Sequence, residues 1–192
     1  MNSTLPSDRR PSFSLAGRLC RAVLLLQLGG LGVLGLAGAQ VAEAGAAKSC
    51  PSPAEIHAEL LRLNAFRTQA QACGRKLLPS APPLRWEARL EASAQAFAAE
   101  LAQGDQLSHV GLKGSSLRER FRQSGYVMRR AGENLAAGQE SLDEVLATWT
   151  LSAQHCENLM QAEFVDVGLA CVVGPGRYDR YWVLHLGRPV EP

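Results

Sequence analysis

The sequence contains no Gly-x-Ser-x-Gly nucleophile elbow, no His-Glu-x-x-His helix, no phosphate-binding glycine loop and no paired-carboxylate hydrolase motif. The short patterns by which many hydrolases and nucleotide-binding enzymes declare themselves are therefore missing. No two cysteines stand in Cys-x-x-Cys spacing, so no paired thiolates are offered to a structural zinc. There is no internal repeat, and no low-complexity tract outside the N-terminal segment and the alanine-rich helix faces. The apolar run from Ala22 to Ala39 is broken by Gly29, Gly30, Gly32 and Gly35 and falls short of the stretch a stable membrane span needs. A clustered Lys/Arg stripe is also missing, which excludes nucleic acid and an anionic membrane surface as electrostatic partners. Arg118, Arg120, Arg122, Arg129 and Arg130 read as a solvated helix face.

What is present is a chain of 192 residues, 46% hydrophobic and 20% charged, the size and composition of one globular domain with an appendage. The appendage comes first. Arg9, Arg10, Arg18 and Arg21 precede the apolar run, which closes on Ala37-Gly38-Ala39 with a second small-residue option at Ala42-Glu43-Ala44. This is the pattern of a secretory signal over residues 1–39, cleaved near Ala39 or Ala44 and followed by a short linker over 40–51 and a domain over 52–190. The twin arginines are followed by residues that match the folded-export signature poorly. Cys20 lies ahead of the apolar run and so is not a lipid-attachment cysteine. Removing residues 1–39 takes four arginines and Asp8 from totals of 20 basic and 18 acidic residues, leaving 16 against 17 and a formal charge of −1. The basicity of the whole chain belongs to its leader, and the expected location is secreted or periplasmic.

Four cysteines remain after processing, Cys50, Cys73, Cys156 and Cys171. An even count in an exported chain argues for two disulfides with three pairings. A helix from about Pro53 toward Ala70 would hold its ends about 25 Å apart at 1.5 Å per residue. Bridged Cα atoms sit roughly 4.4 to 6.8 Å apart, so Cys50 with Cys73 is strained unless that helix ends early, and its complement, Cys156 with Cys171, falls with it. Two pairings stay open on the residues alone.

Helices come first along the chain. Ser52-Pro53-Ala54-Glu55 is a capping box with proline at the first helical position, and Ile56, Leu60 and Leu63 share a face. Beyond the Pro79 to Pro83 breaker, Leu90, Ala94, Phe97, Ala98 and Leu101 form the apolar face of a long helix ended by Gly104. Ser116-Leu117-Arg118-Glu119 opens a short helix, and Ser141-Leu142-Asp143-Glu144 opens another that carries Trp149. The period then changes to two at Val165, Val167, Leu169, Cys171 and Val173, and a second strand over Tyr181 to Leu186 follows a Gly174-Pro175-Gly176 loop. Helices followed by an antiparallel hairpin give an α+β domain.

Three fragments carry the chemistry: Ser108-His109; Gly132-Glu133-Asn134-Leu135; and Trp149 with Ser152, His155, Asn158 and Leu159 at helical spacing. Together, in this order and among these helices, they resemble the CAP superfamily, also called the SCP-like extracellular domain, over about Ser52 to Leu186. Its bacterial branch is the most similar. The resemblance implies a three-layer α-β-α sandwich with a small antiparallel sheet. It implies that His109 and His155 line a central cavity which in some members holds a divalent cation such as zinc, and it implies the pairings Cys73 with Cys156 and Cys50 with Cys171. Many eukaryotic relatives have a second glutamate where this chain has Ser152, so the His-Glu-Glu-His tetrad is incomplete.

Read from the residues, neutral imidazole is the usual zinc ligand, and two imidazoles with a nearby carboxylate make a metal site or an acid/base site. Glu133 is expected in a tight turn at Gly132, where its carboxylate either orients a histidine or pins a loop. The ligand cleft is expected from His109, Glu133, Ser152 and His155. Asn134 and Asn158 are expected as scaffold and Trp149 as core. His57 and His185, with no motif around them, are expected to be structural or surface residues. Three functions follow. The first is an exported, non-enzymatic module that binds a small-molecule, lipid or envelope ligand, with or without a metal. The second is a metal-assisted hydrolase of an envelope or peptide substrate with Glu133 as general base. The third is a disulfide-stapled interaction domain with a vestigial cleft.

Overall fold

The computed structural model describes residues 49–191; the leader and its cleavage positions lie outside them. Along this stretch the order is α1 (Pro53–Arg67), β1 (Gln71–Cys73), β2 (Lys76–Leu78), β3 (Arg85–Trp86), α2 (Ala88–Gly104), α3 (Leu117–Gln123), β4 (Met128–Ala137), α4 (Leu142–Leu151), α5 (Ala153–Leu159), β5 (Asp166–Val173) and β6 (Arg180–Pro189). No helix among the described residues is long and apolar enough to cross a membrane.

Local chemistry sets the helix starts. Ser52 and Ser116 each close a reciprocal capping box, with Glu55 and Glu119 respectively, satisfying amides that a helix N-terminus leaves unpaired. At Ser141 only half the box forms. Its hydroxyl accepts from the Glu144 N–H, while the Glu144 carboxylate turns to the Glu140 N–H at 2.9 Å.

The main sheet has the order β3-β5-β6-β4, with β3 parallel to β5 and the other pairs antiparallel. Alternation along β6 divides the core. Trp182, Leu184 and Leu186 face a layer made by α1, α4 and α5, where they pack with Ile56, Leu63, Val145, Trp149, Leu159 and Phe164. Tyr181 and Val183 face α2 and pack with Ala94, Phe97, Ala98 and Leu101. The result is a three-layer α-β-α sandwich. Close approach of α2 to the sheet depends on Gly168 of β5, where an added Cβ would lie 2.1 Å from the Glu91 nitrogen.

Two disulfides fasten the layers: Cys50 to Cys171 and Cys73 to Cys156, with Cα separations of 5.7 and 5.4 Å. They span 121 and 83 residues, and on chain-entropy grounds each removes about 4.5 to 5 kcal/mol of freedom from the unfolded chain. Arg67 adds a polar fastening. Fully buried at the end of α1, it donates to the carbonyls of Pro82, Leu159, Gln161 and Phe164. Burial without a carboxylate partner pulls its pKa down to about 10.

Three expectations are corrected here. Gly132-Glu133-Asn134 is not a turn; it lies within the ten-residue strand β4. Gly132 is demanded by packing, because a Cβ there would meet Phe164 Cζ at 2.6 Å and Asn158 Oδ1 at 2.7 Å. The helix from Trp149 to Leu159 is two helices, broken at Ser152, whose backbone is extended at φ −84° and ψ 123°. Arg120 does not share a solvated face, being only 5% exposed.

Candidate functional site

β4 is an edge strand, and a cleft of about 570 Å³ runs beside it, between the α2/α3 layer and the α5 layer. Five consecutive β4 residues, Arg130 to Asn134, line it, with His109 on one side and His155, Asn158, Gln161 and Phe164 on the other. The loop after α2 carries His109, and α5 carries His155. The fold therefore brings His109, Glu133 and His155 to one hollow. Ser152 is not among the residues of its wall; it is the extended hinge between α4 and α5.

Glu133 is the hub. Its side chain is 3% exposed and both oxygens are engaged. Oε1 meets His109 Nδ1 at 2.6 Å, and Oε2 accepts from Arg120 Nη2 at 2.7 Å and meets His185 Nε2 at 2.8 Å. Burial alone would raise this carboxyl; the hydrogen bonds from His109 and His185, with the charges of His185 and Arg120, outweigh it and bring the pKa down to about 2. Facing an ionised carboxylate, both imidazole nitrogens must be donors. His185 is completely buried; desolvation drives its pKa down against the opposite pull of the Glu133 carboxylate, and Arg120 is the permanent charge of the network. Arg120 is itself held by the carbonyls of Ser115 and His109, at 2.9 and 3.2 Å, and by the Phe97 ring, whose centroid lies 3.5 Å from its Cζ.

These bonds fix His109. Its Nδ1 is committed to Glu133, its main chain is tied to Arg120, and Nε2 is the ring nitrogen left for a ligand. The carboxylate bond raises the His109 pKa, whereas burial, with a smaller contribution from the charge on His109, lowers that of His155. Buried His155 Nδ1 has no hydrogen-bond partner, and a proton placed there would lack an acceptor. Near neutrality the cleft thus presents His109 as the readier proton donor and His155 as a neutral imidazole. The asparagines hold the β4 side: Asn158 Nδ2 donates to the Glu133 carbonyl and to Asn134 Oδ1, and Asn134 Nδ2 donates to the His155 carbonyl.

The donor set limits what a metal would find. Two imidazoles face the cleft, Glu133 spends both oxygens elsewhere, and no group of three or more His, Cys, Asp or Glu side chains among the described residues is disposed to hold an ion. A catalytic zinc usually takes three protein ligands, so these residues fit a reversibly bound cation and not a resident one. A carboxyl held near 2 with its lone pairs engaged is also a weak proton acceptor. The environment equips Glu133 to orient His109. Arg120 and His185 are the members of this network that sequence reasoning missed. No motif marks either, and only the α3 capping box, which fixes where Arg120 sits on its helix, offered a signal.

The model of the cysteine-rich secretory protein family (CAP) matches residues 60–186. The chain is 28% identical over 90 residues to the uncharacterized protein YkwD of Bacillus subtilis, an alignment covering 47% of this chain and 35% of that relative. It therefore spans about a third of the curated relative's length. Among solved structures, an outer surface protein from Borrelia burgdorferi is similar with a TM-score of 0.62 and 18% identity, covering 73% of this chain and 97% of that one. An extracellular SCP-domain protein from Bacillus anthracis has a TM-score of 0.56 and 21% identity, covering 73% of this chain and 45% of that one. Both likenesses concern the fold alone.

Proposed function

Because the chain belongs to the cysteine-rich secretory protein (CAP) family, we propose that it is an exported, non-enzymatic module that binds a polar ligand in the β4 cleft through His109 and His155. The observation that carries this reading is the preorganisation of His109: a buried carboxylate, itself charge-compensated by Arg120, holds the ring in one tautomer with Nε2 left for a ligand. Export is supported by the two disulfides, which persist in oxidising compartments, and by the signal pattern of the leader. A cleft of this volume suits a small ligand or a short segment of a larger one. With His109 Nδ1 donating to Glu133 and no acceptor at His155 Nδ1, the neutral rings offer an acceptor at His109 Nε2 and a donor at His155 Nε2, which favours a group that offers both, such as an amide. A divalent cation, which would supply Lewis acidity toward the same ligand, would be held by His109 Nε2, and His155 would join it only by moving its own proton to the partnerless Nδ1; the surrounding residues orient the rings.

The test is a thermal-shift screen of envelope fragments, short peptides, lipids and zinc against the wild type and a His109→Ala/His155→Ala double variant. A ligand that raises the wild-type midpoint and leaves the variant unmoved is expected. Stabilisation that survives in the variant, or no stabilising ligand at all, would leave the third reading, a scaffold with an unused cleft.

A further inference from the structure

The open edge of β4 faces the cleft along Arg130 to Asn134, and Ala131 in that segment has both main-chain groups unpaired. Val165 N–H donates to the Gly187 carbonyl, so Gly187 and every second residue of β6 address β5, and Leu186 and Leu184 address β4. Their register partners are Gly132 and Asn134. The N–H and C=O groups of Ala131, Glu133 and Leu135 therefore point away from β6. Two of those carbonyls are covered: Leu135 C=O accepts from Trp149 Nε1 at 3.0 Å and Glu133 C=O from Asn158 Nδ2 at 3.1 Å. Ala131 N–H, Ala131 C=O, Glu133 N–H and Leu135 N–H have no partner among the described residues, and of the three residues Ala131 alone has both groups open. Glu133 is 8% exposed as a residue but only 3% over its side chain, so what it shows to solvent is main chain.

Open edges invite pairing and are normally blunted; on β4 the carbonyls of Glu133 and Leu135 are capped by side chains while both groups of Ala131 stay open. The fully open position, Ala131, lies in the cleft wall, and the two imidazoles flank the cleft. Charges at the rim are already paired, Arg130 with Glu163 at 2.6 Å and Lys76 with Glu157 at 2.7 Å, so the groove selects no strongly charged ligand.

We infer that the ligand of this cleft is an extended polypeptide segment, which adds as a short strand to β4 at Ala131 and Glu133. This rests on the binding reading given above and names its ligand class. Three main-chain bonds to Ala131 and Glu133 supply the affinity. The Asn158 and Trp149 caps stop the added strand after about one residue pair beyond Ala131. His109 and His155 then lie beside the segment, where they contact its side chains or the amides that face away from β4.

The experiment uses the protein with both disulfides formed. Heptapeptides are selected from a random display library for release by free peptide and for loss of binding to the His109→Ala/His155→Ala variant. Each selected peptide is then resynthesised with single backbone N-methyl groups. N-methylation at alternate residues is expected to weaken binding on the order of tenfold, while N-methylation at the residues between them changes it less than about twofold. Bound peptide should slow hydrogen exchange of the Ala131 and Glu133 amides. Ala131→Pro, tolerated on an edge whose N–H faces outward, should weaken binding on the order of tenfold; the peptide N-methyl series carries the same test should that variant fold poorly. Selected peptides that show no period-two sensitivity, or unchanged exchange at Ala131 and Glu133, would overturn strand addition. So would failure to select any peptide while zinc or another small ligand still engages both histidines, an outcome that leaves the binding reading standing. If neither peptide nor small ligand engages the histidines, both readings fall.

Discussion

Replacing Glu133 by glutamine changes the charge at the centre of the buried network while keeping its shape. The carboxyl lies at about 2 in the folded protein against an ordinary 4.5, and its side chain is 3% exposed, so solvent screening does not erode the figure. At 1.36 kcal/mol per pKa unit, that depression corresponds to about 3 kcal/mol of stability. The sign follows from the direction. A depressed acid pKa contributes fully above the unfolded value and is lost as pH falls from about 4.5 toward 2. Glu133→Gln forfeits this contribution at neutral pH, aims an amide N–H₂ at one of three donors, and leaves Arg120 as a buried cation without a carboxylate. The expected loss is about 3 to 5 kcal/mol at pH 7. Urea unfolding of wild type and variant should show the gap at pH 7 and a much smaller one at pH 2.5. A gap under about 1 kcal/mol at pH 7, or one that does not change with pH, would refute the charge-compensated network.

Histidine titrations followed by NMR should place His109 above the ordinary histidine value and His155 below it, with His109 returning toward that value in Glu133→Gln; the reverse order would show that Glu133 does not hold His109. Gly132→Ala forces a Cβ against Phe164 and Asn158 and should cost about 1 to 3 kcal/mol in urea unfolding, a neutral result meaning that the β4 to α5 contact is looser than described. Arg67→Met deletes the donors that serve four carbonyls but also relieves a buried unpaired charge; the lost bonds should prevail by about 2 to 4 kcal/mol, and a stabilised variant would reverse that balance.

The parts legible in the sequence are those governed by neighbours in the chain. The capping boxes at Ser52 and Ser116 and the alternation leading into β5 and β6 each report a local preference that tertiary structure keeps. The strand β4 was hidden because a Gly-Glu-Asn triplet reads as a turn, when the glycine is required by Asn158 of α5 and Phe164 of the loop that follows it. The break at Ser152 carries neither proline nor glycine, so the periodicity of Trp149 and His155 ran through it. Arg120 and His185 were beyond reach for a different reason. A buried guanidinium and a buried imidazole look, in sequence, like any surface arginine or strand histidine. What distinguishes them is a carboxylate 13 and 52 residues away. The pairing of cysteines could be narrowed by helix length, and the family resemblance supplied the remainder.

Zinc titration of the ¹⁵N-labelled protein, followed through the ring nitrogens of its histidines, tests most directly whether His109 and His155 form one binding surface. Both rings should shift along a single saturation curve, and His109→Ala should abolish the response of His155. Two independent curves, or a His155 response that persists without His109, would contradict a shared cleft.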